Sequence, residues 1–167
     1  MSQPGPSPIP GHAGRRKDRS AGHPEREGRR MALGALFEAD FGQRTAERVL
    51  ERRLAEEGSD SRVASHARRL VTVVALHRDT IDARIEALAP AWPVVRLARM
   101  DRALLRSGVG ELLHCPATPA RVAISEWVAL AREYSGEPAR RLVNGVLGRV
   151  VDGGTGMAEQ DNTARQP

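Results

Sequence analysis

Residues 140–151 read RRLVNGVLGRVV, and the fold turns on whether this stretch is strand or helix. Asn144-Gly145 between apolar pairs is the strongest short signal for a two-residue β-hairpin. The apolar spacing says otherwise. Leu142, Val143, Val146, Leu147, Val150 and Val151 form adjacent pairs that repeat every four positions. On a helix these pairs make one continuous stripe. On hairpin strands Leu142 and Val143 would point to opposite faces and no buried side would form. The stretch therefore reads as a helix, with Arg140, Arg141 and Arg149 off the stripe. Gly145 and Gly148 cost that helix about 1 kcal/mol each relative to alanine. Two glycines and Asn144 in mid-helix suggest packing: glycine admits a close backbone, and Asn144 is expected to bond a buried partner.

The same periodicity extends through the chain. RRMALGALFEADF places Leu33, Leu36 and Phe37 on one helical face, with Gly42 as the stop. Thr45 is a candidate N-cap for TAERVLERRLAEE, whose Val49, Leu50 and Leu54 make a stripe before Gly58. From the capping residues Ser59 to Ser61, Val63, Ala67, Leu70, Val74, Ile81, Ile85 and Leu88 predict one long helix ending near Pro90. Trp92-Pro93 opens a short helical piece that leads into DRALLRSGVGELLH. Thr118-Pro119 reads as an N-cap followed by proline at the first helical position of PARVAISEWVALAREY. Pro138 is placed to start the last helix. No segment alternates with period two for long enough to make a strand. The fold class is all-α.

One domain of ordinary size is expected from 167 residues with 40% apolar content, and aromatics at 3% require an aliphatic core. Basic residues number 26 against 21 acidic, for a net charge of +5, and Lys17 is the only lysine. Arginine presents a planar fork suited to phosphate and to stacking on bases; genomic base bias gives an arginine- and alanine-rich composition equally well. The charge is concentrated at the N-terminus, where Arg15, Arg16, Lys17, Arg19, Arg26, Arg29 and Arg30 face Asp18, Glu25 and Glu27. A basic arm on a nearly neutral body points to a polyanion, with a merely solvated tail as the alternative. Residues 1–27 are too rich in Pro, Gly, Ser and charge to bury a core and read as a disordered extension. Residues 153–167 read as a flexible tail, which leaves 28–152 as the folded body.

Cys115 is the single cysteine, so no disulfide framework is available and a reducing compartment is expected. No apolar run approaches the roughly 18–20 residues that span a bilayer. The N-terminal charges precede no apolar core of a secretory signal. The expected location is the cytoplasm, without membrane association.

ARMDRALLRSGVGELL, PARVAISEWVALAREYSGEPARRLVNGVLGRVV and RRMALGALFEAD together resemble the NusB family of bacterial transcription antitermination factors. The similarity covers about residues 30–152 in order, and VNGVLG preceded by VAI-x-E is a specific combination. The resemblance implies about seven helices arranged as two three-helix bundles. It implies binding of single-stranded boxA RNA from ribosomal RNA leader transcripts, together with NusE, a small-subunit ribosomal protein. It also implies entry into the antitermination complex on RNA polymerase, and no catalysis.

Carried over residue by residue, the resemblance assigns RNA binding to Arg29 and Arg30 at the start of the first helix. It adds Arg121 before VAI, and Tyr134 as a stacking ring. Phe37 and Asp101 match positions that meet NusE. These types suit the task, because single-stranded RNA needs cations for phosphates and rings for unpaired bases. Each also has a structural reading: helix solvation for the arginines, loop cover for Tyr134, core for Phe37, helix entry for Asp101. Glu126, expected to pair with Arg102 or Arg106, reads as structural, as do Asn144 and Gly145.

The chain departs from the family pattern in several places. Leu142 replaces the usual Phe before VNG, Ser125 replaces Asn, and Pro138-Ala139 replace a polar pair. Gly108 and Gly110 lie where the family carries bulkier residues.

Other functions find less support. His12, His23, His66, His77 and His114 are scattered, and only His114-Cys115 is a close pair of potential ligands, so no metal or cofactor is expected. Neither a phosphate-binding G-x-x-x-x-G-K-[ST] loop nor a G-x-G-x-x-G after a strand is present. Three alternatives stay open. The first is a domain like the one at the front of ribosomal RNA cytosine methyltransferases, which expects a longer chain. The second is a helical protein–protein adaptor or homodimer with little RNA binding. The third is a helix-turn-helix regulator, which wants a basic helix after a short turn.

Overall fold

The computed structural model describes residues 24–162, with side chains described through residue 153. The extension expected over residues 1–27 lies outside the described residues up to 23. From there on it is corrected: α1 spans Pro24–Ala39. Pro24 needs no donor in the first helical turn, and Glu25 and Glu27 meet the positive end of the helix dipole. The helices that follow are α2 (Ala46–Glu57), α3 (Ser61–Leu76), α4 (Arg78–Leu88), α5 (Arg99–His114), α6 (Ala120–Ser135) and α7 (Glu137–Asn162). A 3-10 turn, Val94–Arg96, precedes α5. Among the described residues there is no strand.

α1, α2 and α3 pack on one another as one three-helix bundle, and α5, α6 and α7 as a second. α5 also lies against α1, α3 and α4, and so joins the two. The expected aliphatic core is present: Leu33, Leu50, Leu70, Ile81, Ile85, Leu104, Leu105, Leu130 and Leu147 are buried, and Trp127 is buried with them. The helix ends follow local chemistry. Thr45 caps α2 by accepting from the Arg48 amide, and Asp60 caps α3 from Arg62 at 2.7 Å. Gly136, with φ of 88°, closes α6 in a conformation other residues resist, so that α7 starts at the next residue. Thr118 is not the N-cap of α6; Pro119 takes that position, with no side-chain bond to the helix.

Three further expectations are corrected. The long helix over 61–88 is broken at His77, whose φ of −113° and ψ of 18° leave helical geometry. Thr80 donates to the His77 carbonyl at 2.9 Å, and the His77 ring stacks on His114 at 3.8 Å. Beyond the break α4 lies against α5, with Ile81 beside Gly110. Second, α7 continues through residue 153 to Asn162, past the expected start of the tail. Third, Asn144 is exposed and Gly145 faces open space, as does Gly148. The stripe itself is real, since Val143, Val146, Leu147 and Val150 are buried. Close approach falls elsewhere: a Cβ on Gly28 of α1 would lie 2.9 Å from His66 and 3.1 Å from the Val63 carbonyl oxygen, one on Gly108 of α5 would lie 3.0 Å from Leu147, and one on Gly110 would lie 3.2 Å from Val73.

Candidate nucleic-acid interface

α1 carries its arginines at positions 26, 29 and 30, and the rotation of about 100° between neighbouring residues gives Arg29 and Arg30 opposite fates. Arg29 points inward. It is 2% exposed, and its Nε and Nη2 donate to the two carboxylate oxygens of Glu111 at 2.9 and 2.7 Å. Trp127 donates its indole N–H to the same carboxylate at 2.7 Å. Arg29, assigned to RNA from the sequence, is therefore a core residue with no surface to offer a phosphate. Burial alone would raise the Glu111 pKa, but the Arg29 hydrogen bond and charge more than offset it and hold the carboxyl below its usual range. His66 lies 3.6 Å from Glu111 and is kept neutral chiefly by burial, which lowers its pKa.

Arg30 points outward. Its Nη1 and Nη2 donate to the two oxygens of Glu133 at 2.7 and 2.8 Å, and Nη1 also donates to the Tyr134 hydroxyl at 3.2 Å. The guanidinium carbon stands 5.9 Å from the centre of the Tyr134 ring, within cation–π range. Tyr134 is 44% exposed. The structure therefore brings Arg30 and Tyr134 together at the surface between α1 and the end of α6: a cation beside an accessible ring. Arg121 is exposed, but it sits thirteen residues earlier on α6, about 20 Å along the axis. It belongs to a separate part of the surface.

A second ion pair runs from α1 to α6. Arg26 reaches Glu126 at 3.8 Å, which corrects the expected pairing of Glu126 with Arg102 or Arg106. Those two arginines serve Asp40 instead. Arg102 donates to Asp40, Arg106 lies 3.7 Å from it, and Arg106 also makes a two-pronged contact with Asp82 at 2.7 Å. These contacts clamp the end of α1 and the side of α4 to α5.

The expected partner residues separate as well. Phe37 is half-buried and meets Phe41 edge-on at 5.4 Å, while Phe41 is 54% exposed beneath the Arg99 guanidinium at 4.5 Å. Phe41 is thus the accessible ring of that pair. Asp101, half-buried on α5, accepts the Ser135 hydroxyl at the end of α6. A surface cleft with a volume of about 610 Å³ opens beside the start of α2, between Asp40, Thr45, Arg78 and Arg106, and Tyr134 does not line it. Among the described residues no three His, Cys, Asp or Glu side chains converge as for a metal, and no helix is long and apolar enough to cross a membrane.

Residues 26–152, nearly the whole described body, match the model of the NusB family. The chain belongs to the NusB family. A transcription antitermination protein NusB from Dehalococcoides mccartyi is 38% identical over 125 residues, covering 75% of this chain and 87% of that one. The NusB of Chloroflexus aggregans is 43% identical over 122 residues, covering 72% and 81%. The solved T. maritima NusB structure superposes with a TM-score of 0.72 at 31% identity, covering 78% of this chain and 92% of that one. The NusB frame thus carries here an α1 whose outer cations are paired to carboxylates of α6.

Sequence reasoning missed Glu111, Glu133, Asp40 and Phe41. Asp40 and Phe41 stood in the quoted first helix, and only their exposure and partners were hidden. Glu111 and Glu133 act through α1, 82 and 103 residues away in sequence, and no local pattern reports such pairing.

Proposed function

We infer that this chain is a transcription antitermination factor. In this reading it binds the single-stranded boxA element of ribosomal RNA leader transcripts together with NusE, and joins the antitermination complex on RNA polymerase in the cytoplasm. The family match over residues 26–152 carries the reading, and the relatives named above are antitermination proteins. The surface chemistry is compatible. Arg30 supplies a phosphate-binding fork, Tyr134 a face on which a base can stack, and Arg121 a separate cation on the same helix as Tyr134. Phe37 near the end of α1, with the accessible Phe41 beside it, and Asp101 in the first turn of α5 are assigned to NusE.

The test is fluorescence anisotropy with boxA RNA and a scrambled RNA of equal length, with and without NusE. Tight, boxA-selective binding in the presence of NusE is expected. Equal binding of both RNAs, unchanged by NusE, would overturn the reading.

A further inference from the structure

Arg30, the cation that stands beside the exposed Tyr134 ring, is already occupied. Glu133 takes Nη1 and Nη2 at 2.7 and 2.8 Å, the fork-to-fork geometry in which a guanidinium binds a phosphate. The Tyr134 hydroxyl takes a further donor of Nη1. A phosphate approaching this fork meets a carboxylate in its place, and the two anions repel at such distances. One turn toward the start of α1, Arg26 and Glu126 repeat the arrangement more loosely at 3.8 Å. Glu126 and Glu133 are seven residues apart and lie on one face of α6, so both look across to α1.

We propose that Glu133 is a built-in competitor for RNA phosphate: it holds the Arg30 fork in the free protein and must be displaced when RNA binds. The proposal rests on the RNA-binding function above and adds to it a residue that sets affinity and selectivity. Only a ligand that offers a phosphate to Arg30 and a base to Tyr134 together replaces what Glu133 provides. Other polyanions gain the charge contact alone. The side chains of the pair are 29% and 42% exposed, so the contact is of the modest strength typical of surface ion pairs, weak enough to exchange.

Anisotropy titrations of the full-length chain with single-stranded boxA RNA test this, using wild type, E133Q, R30A, R30A/E133Q and E57Q. Glu57 is an exposed residue at the end of α2, and its variant measures the effect of removing one negative charge anywhere. E133Q is expected to bind roughly three- to fivefold more tightly than wild type, in keeping with the strength of an exposed pair, and clearly more tightly than E57Q. In the R30A background the gain from E133Q should fall to that of E57Q. Circular dichroism melts confirm that each variant is folded. If wild type binds and R30A weakens it, but E133Q equals E57Q or binds less tightly than wild type, the competitor role is overturned while RNA binding stands. If no variant binds boxA RNA in the presence or absence of NusE, the RNA reading falls, and the competitor role with it.

Discussion

Arg29 and Glu111, 82 residues apart in sequence, form a two-pronged ion pair in the interior, with side chains 3% and 0% exposed. A buried pair contributes little over a well-packed apolar pair of similar size, but removing one partner strands the other's charge. Arg29→Met or Glu111→Leu alone should destabilise the fold by about 3–5 kcal/mol, and the double variant should recover much of that loss. Urea denaturation of the three variants checks it. Additive losses would show that the two side chains are not coupled.

His66 makes stability depend on pH. Burial lowers its pKa below the usual 6.5, so the unfolded chain binds the proton first as the solution is acidified. The stabilising contribution is whole above that value and is lost as pH falls through it toward the folded-state value. His114, pressed down by burial and then by its neighbour His77, adds to the same trend. Thermal melts should therefore decline from about pH 7 to pH 5, and less steeply in His66→Gln. A further decline is expected at lower pH: Glu111, held below its ordinary 4.5, loses its contribution once pH falls through its folded-state pKa. An unchanged slope in His66→Gln would remove His66 from the account.

The glycines of two helices should respond in opposite directions. A Cβ at Gly145 or Gly148 meets nothing within 4 Å, so alanine there should stabilise by about 0.5–1 kcal/mol through helix propensity alone. A Cβ at Gly108 would lie 3.0 Å from both terminal carbons of Leu147 and 3.4 Å from Trp127, and both side chains are fully buried. Gly108→Ala should cost about 1–3 kcal/mol from overpacking, reduced by the propensity gain. Chemical denaturation of the three single variants orders them, and stabilisation by Gly108→Ala would mean that Leu147 has room to shift.

RNA binding should separate the three arginines assigned to it from sequence. Arg30→Ala and Arg121→Ala should each lower the slope of log affinity against log salt by about 0.7, the value for one phosphate on a single strand. Tyr134→Ala should weaken binding by about 1–3 kcal/mol at every salt concentration. The Arg29→Met/Glu111→Leu double variant should leave the slope unchanged because the Arg29 side chain does not reach solvent. A lowered slope in that variant would return Arg29 to the interface.

These contrasts mark where the sequence could be read and where it could not. Val143, Val146, Leu147 and Val150 repeat at helical intervals, so the last helix and the all-α class followed from spacing alone. The His77 break was invisible because Val74, Ile81 and Ile85 keep the helical phase across it, and the turn depends on Thr80 and on the ring of His114. Arg29 and Arg30 are adjacent residues of one type. What separates them is which side of α1 meets Glu111, a fact supplied by α5. Asn144-Gly145 suggested close packing where there is none. Close packing is instead achieved by Gly28, Gly108 and Gly110, whose significance depends on neighbours contributed by α3, α4, α6 and α7.

The glycine pair of α5 has a consequence for how such a domain changes over time. The volume left empty at Gly108 is filled by Leu147, and that at Gly110 by Val73 and Ile81. What must be conserved is the summed volume across each contact, not the residue at either end of it. A lineage that gains a side chain at position 108 is expected to shorten position 147 in the same interval. Substitutions at these paired sites should therefore appear together in descendants of this sequence, while the outer glycines of α7 drift independently.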